Sequence, residues 1–209
     1  AISAALSGCE GARWFTYLFQ PREETLVKPE YPIDDKTVAV VVYTDQATLY
    51  EYPNVRLTMG TKLCYELTHS LDDVKTISPF VVSRFQDDHV NWEAMDPREL
   101  CKELNADIIL MVTLSEYRTR EPGLMNTYQA RILAEAKLYD KDSKDSEPVW
   151  ELDKNIEVVY PKEPHYSPQA EPLIAEQAEK MLAEDLVRKF YKHTYTVNDE
   201  GEKEYIKEN

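Results

Sequence analysis

Two stretches of alternating polarity lie on either side of a single charged turn between residues 128 and 160, and they constrain the fold more than anything else in the chain. Tyr128, Ala130, Ile132, Ala134, Ala136 and Leu138 alternate with Gln129, Arg131, Glu135 and Lys137. A period of two sends the first set to one face of a strand and the second set to the other. Trp150, Leu152, Ile156, Val158 and Tyr160 keep the same period. Between them, Asp140-Lys141-Asp142-Ser143-Lys144-Asp145-Ser146 is a solvated turn, so the pair predicts a long antiparallel hairpin with one wet face. The apolar face needs a cover.

Other segments supply that cover and extend the sheet. Thr37–Tyr43 and Ile108–Val112 are continuous β-branched and aliphatic runs, the pattern of interior strands buried on both faces. Leu57, Gly60, Cys64, Leu67 and Leu71 recur at threes and fours after Pro53-Asn54, which predicts a helix. Phe80-Val81-Val82-Ser83 reads as a short second strand. Asp96-Pro97-Arg98-Glu99 is a helix start, with Asp as N-cap, Pro in the first turn and Glu closing a capping-box pattern, and Asn105 is its stop. Ser167-Pro168 opens a last helix carrying Ile174, Ala178, Met181, Leu182, Leu186 and Phe190. The order β-α-β-α-β-β-β-α predicts an α/β (α+β) fold, a mixed sheet flanked by helices. One domain spans 36–193, and residues 194–209 are a charged, frayed C-terminal tail.

The charge balance narrows the partners. The 209 residues include 24 Lys and Arg against 39 Asp and Glu, a net charge of −15. Nucleic-acid binding needs clustered positive charge, so it is excluded as the main activity. No apolar run approaches the roughly 20 residues that span a bilayer. Hydrophobic residues make up 43% of the chain, enough to build a core.

The first residues give an address. Ala1–Gly8 read as the end of a signal peptide, small and apolar, and Leu6-Ser7-Gly8-Cys9 reads as a bacterial lipobox. In such signals the Cys thiol takes a diacylglycerol, the chain is cut before it, and the new amine takes a further acyl chain such as palmitate. Cys9 is therefore the lipidation site. One acyl chain anchors only marginally, so several make attachment durable. Residues 9–35 are the lipidated Cys and a tether stiffened by Pro21, Pro29 and Pro32. Within it, Trp14, Phe15, Tyr17 and Phe19 suit lipid headgroups or packing back on the domain. Glu10, in place of Asp, favours the outer membrane over the inner one, with the domain facing the periplasm.

Several of these segments resemble the curli-secretion and penicillin-binding-protein-activator lipoprotein superfamily, whose fold is similar to the TolB amino-terminal domain. Lys36–Val42 (KTVAVVV) is similar to its opening strand, and Leu100–Tyr117 (LCKELNADIILMVTLSEY) to its helix and middle strand. Tyr128–Asp140 (YQARILAEAKLYD) with Val149-Trp150-Glu151 is similar to its closing hairpin. The likeness covers residues 36–192. It implies a non-catalytic accessory role in the cell envelope, with another envelope protein as partner. The alternative it implies is a homo-oligomer, subunits assembling into a secretion-type ring.

Catalytic chemistry has little to stand on. His69, His89, His165 and His193 are scattered, and no glycine-rich loop follows a strand. Asp87-Asp88-His89 is the tightest group of metal-ligand types and the one basis for an enzyme reading, against a solvated loop. The chain is therefore expected to be no enzyme, with no resident metal or cofactor. Cys64 and Cys101 remain as an even pair in an oxidising compartment, open between a disulfide and two buried free thiols. The acidic groups Asp72, Asp73, Asp87, Asp88 and the 140–147 turn either keep the surface soluble or steer the domain to a basic partner.

Overall fold

The computed structural model describes residues 24–121, 123–124, 126–198 and 203–206. The chain divides into a main unit, Pro29–Tyr191, and a smaller one made by the segments on either side of it. In the smaller unit, β1 (Thr25–Val27), β8 (His193–Val197) and β9 (Lys203–Ile206) form an antiparallel sheet in the order β1-β8-β9.

In the main unit, β2 (Thr37–Thr44) carries the uninterrupted apolar run, and Val38–Val42 are at most 2% exposed. Such a run belongs between layers on both faces. β2 pairs in parallel with β3 (Lys75–Thr76) on one side and β4 (Ile108–Arg120) on the other. Parallel neighbours need crossovers. The first holds α1 (Gln46–Glu51) and α2 (Val55–Ser70); the second holds α3 (Pro79–Asp88) and α4 (Pro97–Glu103). β4 then turns back antiparallel onto β5 (Tyr128–Asp140), whose other edge takes β6 (Trp150–Glu151) and β7 (Ile156–His165). α5 (Glu171–Val187) follows. The fold is the expected mixed sheet flanked by helices.

The two faces hold separate cores. Val38, Val40 and Val42 of β2, with Ile108, Leu110 and Val112 of β4 and the even positions of β5, pack against α2 and α5. Ala39, Val41 and Ile109 pack against α3, α4 and Trp92. The hairpin read from alternation is present, with an interruption. Leu138 faces Trp150 while Ala134 faces Ile156, so the β6–β7 side gains two residues over that interval. An even insertion keeps every side chain on its face, and the period of two survives.

Three local readings are corrected. Phe80-Val81-Val82-Ser83 is no strand but the start of α3, with Pro79 in its first turn; the strand at that place is Lys75–Thr76. Only Val82 and Gln86 of α3 are buried, one helical turn apart. β8 runs from His193, the last residue of the expected domain, into the expected frayed tail, β9 lies within that tail, and Thr25–Val27 of the expected tether pairs with β8. α1 is an addition to the expected order; Asp45 caps it, its carboxylate accepting from Thr48 N at 2.7 Å. By contrast α4 starts and stops where the sequence indicates. Asp96 accepts from Arg98 N at 2.8 Å, and Asn105 takes φ 51° after the helix. Ala106 N donates to Cys101 O at 2.8 Å, closing a Schellman-type end.

Candidate functional site

β4 outruns β2, and its course beyond Leu114 helps to build a cleft in the main unit. Through Leu114 the even residues of β4 face α2 and α5; the register with β5 then slips by one residue between Leu114 and Glu116. This bulge at Ser115 reverses the facing of the residues beyond it, so the odd residues Tyr117 and Thr119 are the buried ones. Tyr117 then points its hydroxyl at α5. There Glu179 sits beside the apolar stripe of Ile174, Ala178 and Leu182, only 4% exposed.

Glu179 Oε1 accepts from Tyr117 Oη at 2.8 Å and from Thr58 Oγ1 of α2 at 2.8 Å. Burial pushes the Glu179 carboxyl up from its ordinary value, against the two hydroxyl hydrogen bonds that favour its charge. The Tyr117 phenol is raised well beyond the usual range, first by burial and then by the neighbouring Glu179 charge. The Tyr52 ring meets Tyr117 edge-on, centroids 4.9 Å apart. A second polar chain runs outward from it. Tyr52 Oη lies 3.1 Å from Thr119 Oγ1, and Thr119 Oγ1 donates to Glu171 Oε1 at 2.6 Å. Arg120 grips Glu171 with two nitrogens at 2.9 and 2.8 Å. That guanidinium holds the Glu171 carboxyl below its ordinary value.

Above Glu179 opens a cleft of about 670 Å³, walled by Pro53, Leu57, Pro172 and Ala175 as well as the two tyrosines. Its mouth carries Glu51 and an ion pair, Lys62 to Glu176 at 2.8 Å. A smaller hollow of about 260 Å³ lies past the end of β2, lined by Tyr43, Gln86, Arg56, Asp87 and Trp92.

The residues singled out from sequence lie elsewhere. Cys9, and with it Trp14, Phe15, Tyr17 and Phe19, lies outside the described residues. Asp87, Asp88 and His89 end α3 rather than forming a loop, and they diverge. Asp87 pairs with Arg56, Asp88 with Arg84 at 3.5 Å, and His89 Nδ1 lies 2.9 Å from Phe85 O with its ring stacked on Phe85. Among the described residues no three of His, Cys, Asp and Glu are grouped to hold a metal ion. Cys64 and Cys101 are buried free thiols. Cys64 belongs to the α2–α5 core and Cys101 to the α3–α4 core, on opposite faces of the sheet. Burial pushes each thiol up to about 11. Of the acidic turn, Asp140 faces Lys36 at 3.6 Å, while Ser146 Oγ donates to Asp96 at 2.7 Å. Among the described residues no helix is long and apolar enough to cross a membrane.

Sequence patterning does not single out Glu179, Thr58, Tyr52 or Tyr117. The one available signal is on α5: Glu179 falls between Ala178 and Leu182, so a slightly wider apolar face buries it.

No family model matches the chain, and no curated protein matches it. Among solved structures it is similar to PelC from Paraburkholderia phytofirmans, a dodecamer, at 14% identity and a TM-score of 0.45, over 78% of this chain and 96% of that one. It is similar to lipoprotein GNA1162 from Neisseria meningitidis at 14% identity and a TM-score of 0.41, over 70% and 97% respectively. Protein XCC0632 from Xanthomonas campestris is matched at 13% identity and a TM-score of 0.45, over 77% and 88%.

Proposed function

We propose that this chain is a lipid-anchored component of a bacterial cell envelope that acts by binding another envelope protein, without catalysis. The observation that carries the reading is Leu6-Ser7-Gly8-Cys9, a lipobox standing ahead of a folded unit that begins at Pro29. A thiol at that place supplies the nucleophile that takes the diacylglyceryl group as a thioether, and Ser7 and Gly8 give a peptidase access to the backbone. The segment similarity to the curli-secretion and penicillin-binding-protein-activator lipoproteins supports an accessory role. Glu10 supports the outer membrane, with the domain on the periplasmic side. The cleft beside Glu179 supports binding, since it joins apolar walls to a few convergent polar groups.

The test is the mass of the mature protein extracted from host membranes. The reading expects a chain beginning at Cys9 and carrying diacylglycerol and an acyl chain, with Cys9→Ser shifting it to the soluble fraction. A mature chain that keeps residues 1–8 and carries no lipid overturns the anchor. Cross-linking in the host should then trap a second envelope protein. Light scattering that finds a closed ring of copies, with nothing else cross-linked, replaces this reading by self-assembly.

A further inference from the structure

The floor of the large cleft holds a charge that the fold leaves uncompensated. Glu179 is 4% exposed, and its two donors are neutral hydroxyls acting on the same oxygen, Oε1. Among the described residues Oε2 takes no hydrogen bond, and no cation pairs with this carboxyl. Lys62 acts on it through space but is engaged by Glu176 at 2.8 Å. A carboxylate removed from water without a counter-charge is costly, and an amide side chain would fill the place and accept from the same two hydroxyls without that cost. Yet the position is open to a ligand, because Glu179 lines a cleft whose mouth adds the carboxylates of Glu51 and Glu176.

We propose that this cleft binds an organic cation carried on an apolar stem, an alkylammonium or guanidinium head seated on Glu179 with its stem along Pro53, Leu57, Pro172 and Ala175. The charge of the site rejects anions. A hard metal ion is a poor fit, since it needs several oxygen ligands at once and both hydroxyls here already donate to Oε1. An organic cation needs only one charged acceptor, and Tyr52 and Tyr117 bring aromatic rings to the same wall. The volume, about 670 Å³, lies within the range of small-ligand sites. The inference does not depend on the lipid anchor.

The head could come from a free amine or from a lysine side chain of a polypeptide, and two probes separate these. Butylammonium chloride and the capped peptide acetyl-Ala-Lys-Ala-amide are titrated into the isotope-labelled 209-residue chain, with butanol as the neutral control. Saturable amide shifts confined to residues 51–62 and 172–179 are expected for at least one cation and not for butanol. Binding by the peptide alone assigns a polypeptide side chain, and binding by butylammonium alone assigns a free amine. Glu179→Gln, which keeps an acceptor for both hydroxyls, should weaken binding at least tenfold. Ala175→Phe, which fills the cleft and leaves the carboxyl intact, should abolish it. No saturable shift with either cation, or equal affinity in the native chain and Glu179→Gln, overturns the proposal.

Discussion

Glu179 couples stability to pH in a direction set by its burial. Its carboxyl is raised from 4.5, with burial the largest cause, so the folded chain holds that proton more tightly than the unfolded chain does. Between the unfolded value and the raised one the native state binds more protons; stability therefore falls as pH rises through that window and stays reduced at neutral pH. Thr58 and Lys62 face the group from α2, Tyr117 from β4 and Glu176 from its own helix. Glu179→Gln removes the titration while preserving an acceptor for the two hydroxyls. It is expected to raise the unfolding free energy at pH 7, read by urea unfolding. The pH-dependent part of the difference from the native chain should vanish as pH falls below 4.5. Glu179→Leu instead strands the Tyr117 hydroxyl, while Thr58 Oγ1 falls back on Val55 O at 3.3 Å, and should cost about 1–3 kcal/mol. Equal stability of native chain and Glu179→Gln across pH would contradict the buried charge. In the sequence only the place of Glu179 between Ala178 and Leu182 points to this burial. The facing of Tyr117 is set by one bulged residue, Ser115, and alternation read straight through β4 places Tyr117 on the wrong side.

At the level of elements, legibility depends on whether local chemistry leaves one answer. α4 is readable because its cap, its first-turn proline and its left-handed stop are each dictated by a residue type: Asp96, Pro97 and Asn105. Phe80–Ser83 is misleading because a short run of β-branched and aromatic residues suits a strand and a helix alike. Burial at helical spacing decides it. In α3, Val82 is 2% exposed, whereas Phe80 and Val81 are 64% and 51% exposed. The contrast gives a mutational test. Phe80→Glu and Val81→Glu should each change stability by less than about 0.5 kcal/mol. Val82→Ala, losing two buried methyl groups against Val41 and Trp92, should cost about 2 kcal/mol. A strand would instead make Phe80 and Val82 equally sensitive, since they share one face at a period of two. Thermal or urea unfolding of the three variants separates the two arrangements.

For the main unit as a whole, the sheet acts as a partition. β2 is buried on both faces, and consecutive residues serve different cores, Val38, Val40 and Val42 on one side and Ala39 and Val41 on the other. That layering is legible, because an unbroken apolar run between two amphipathic helices has no other place to go. The sequence leaves open which helix takes which face, and the cysteines depend on it. Cys64 on α2 and Cys101 on α4 sit on opposite sides of the partition, so bonding them would require one helix to leave its core. Burial also holds each thiol near 11, leaving little thiolate at neutral pH. Both should therefore react slowly with iodoacetamide in the native chain and fully once it is unfolded in urea. Peptide mapping without reductant should find both as free thiols even after oxidation by air. A Cys64–Cys101 cross-linked peptide from native protein would mean that α2 and α4 share a face, and the two-core sheet would be wrong.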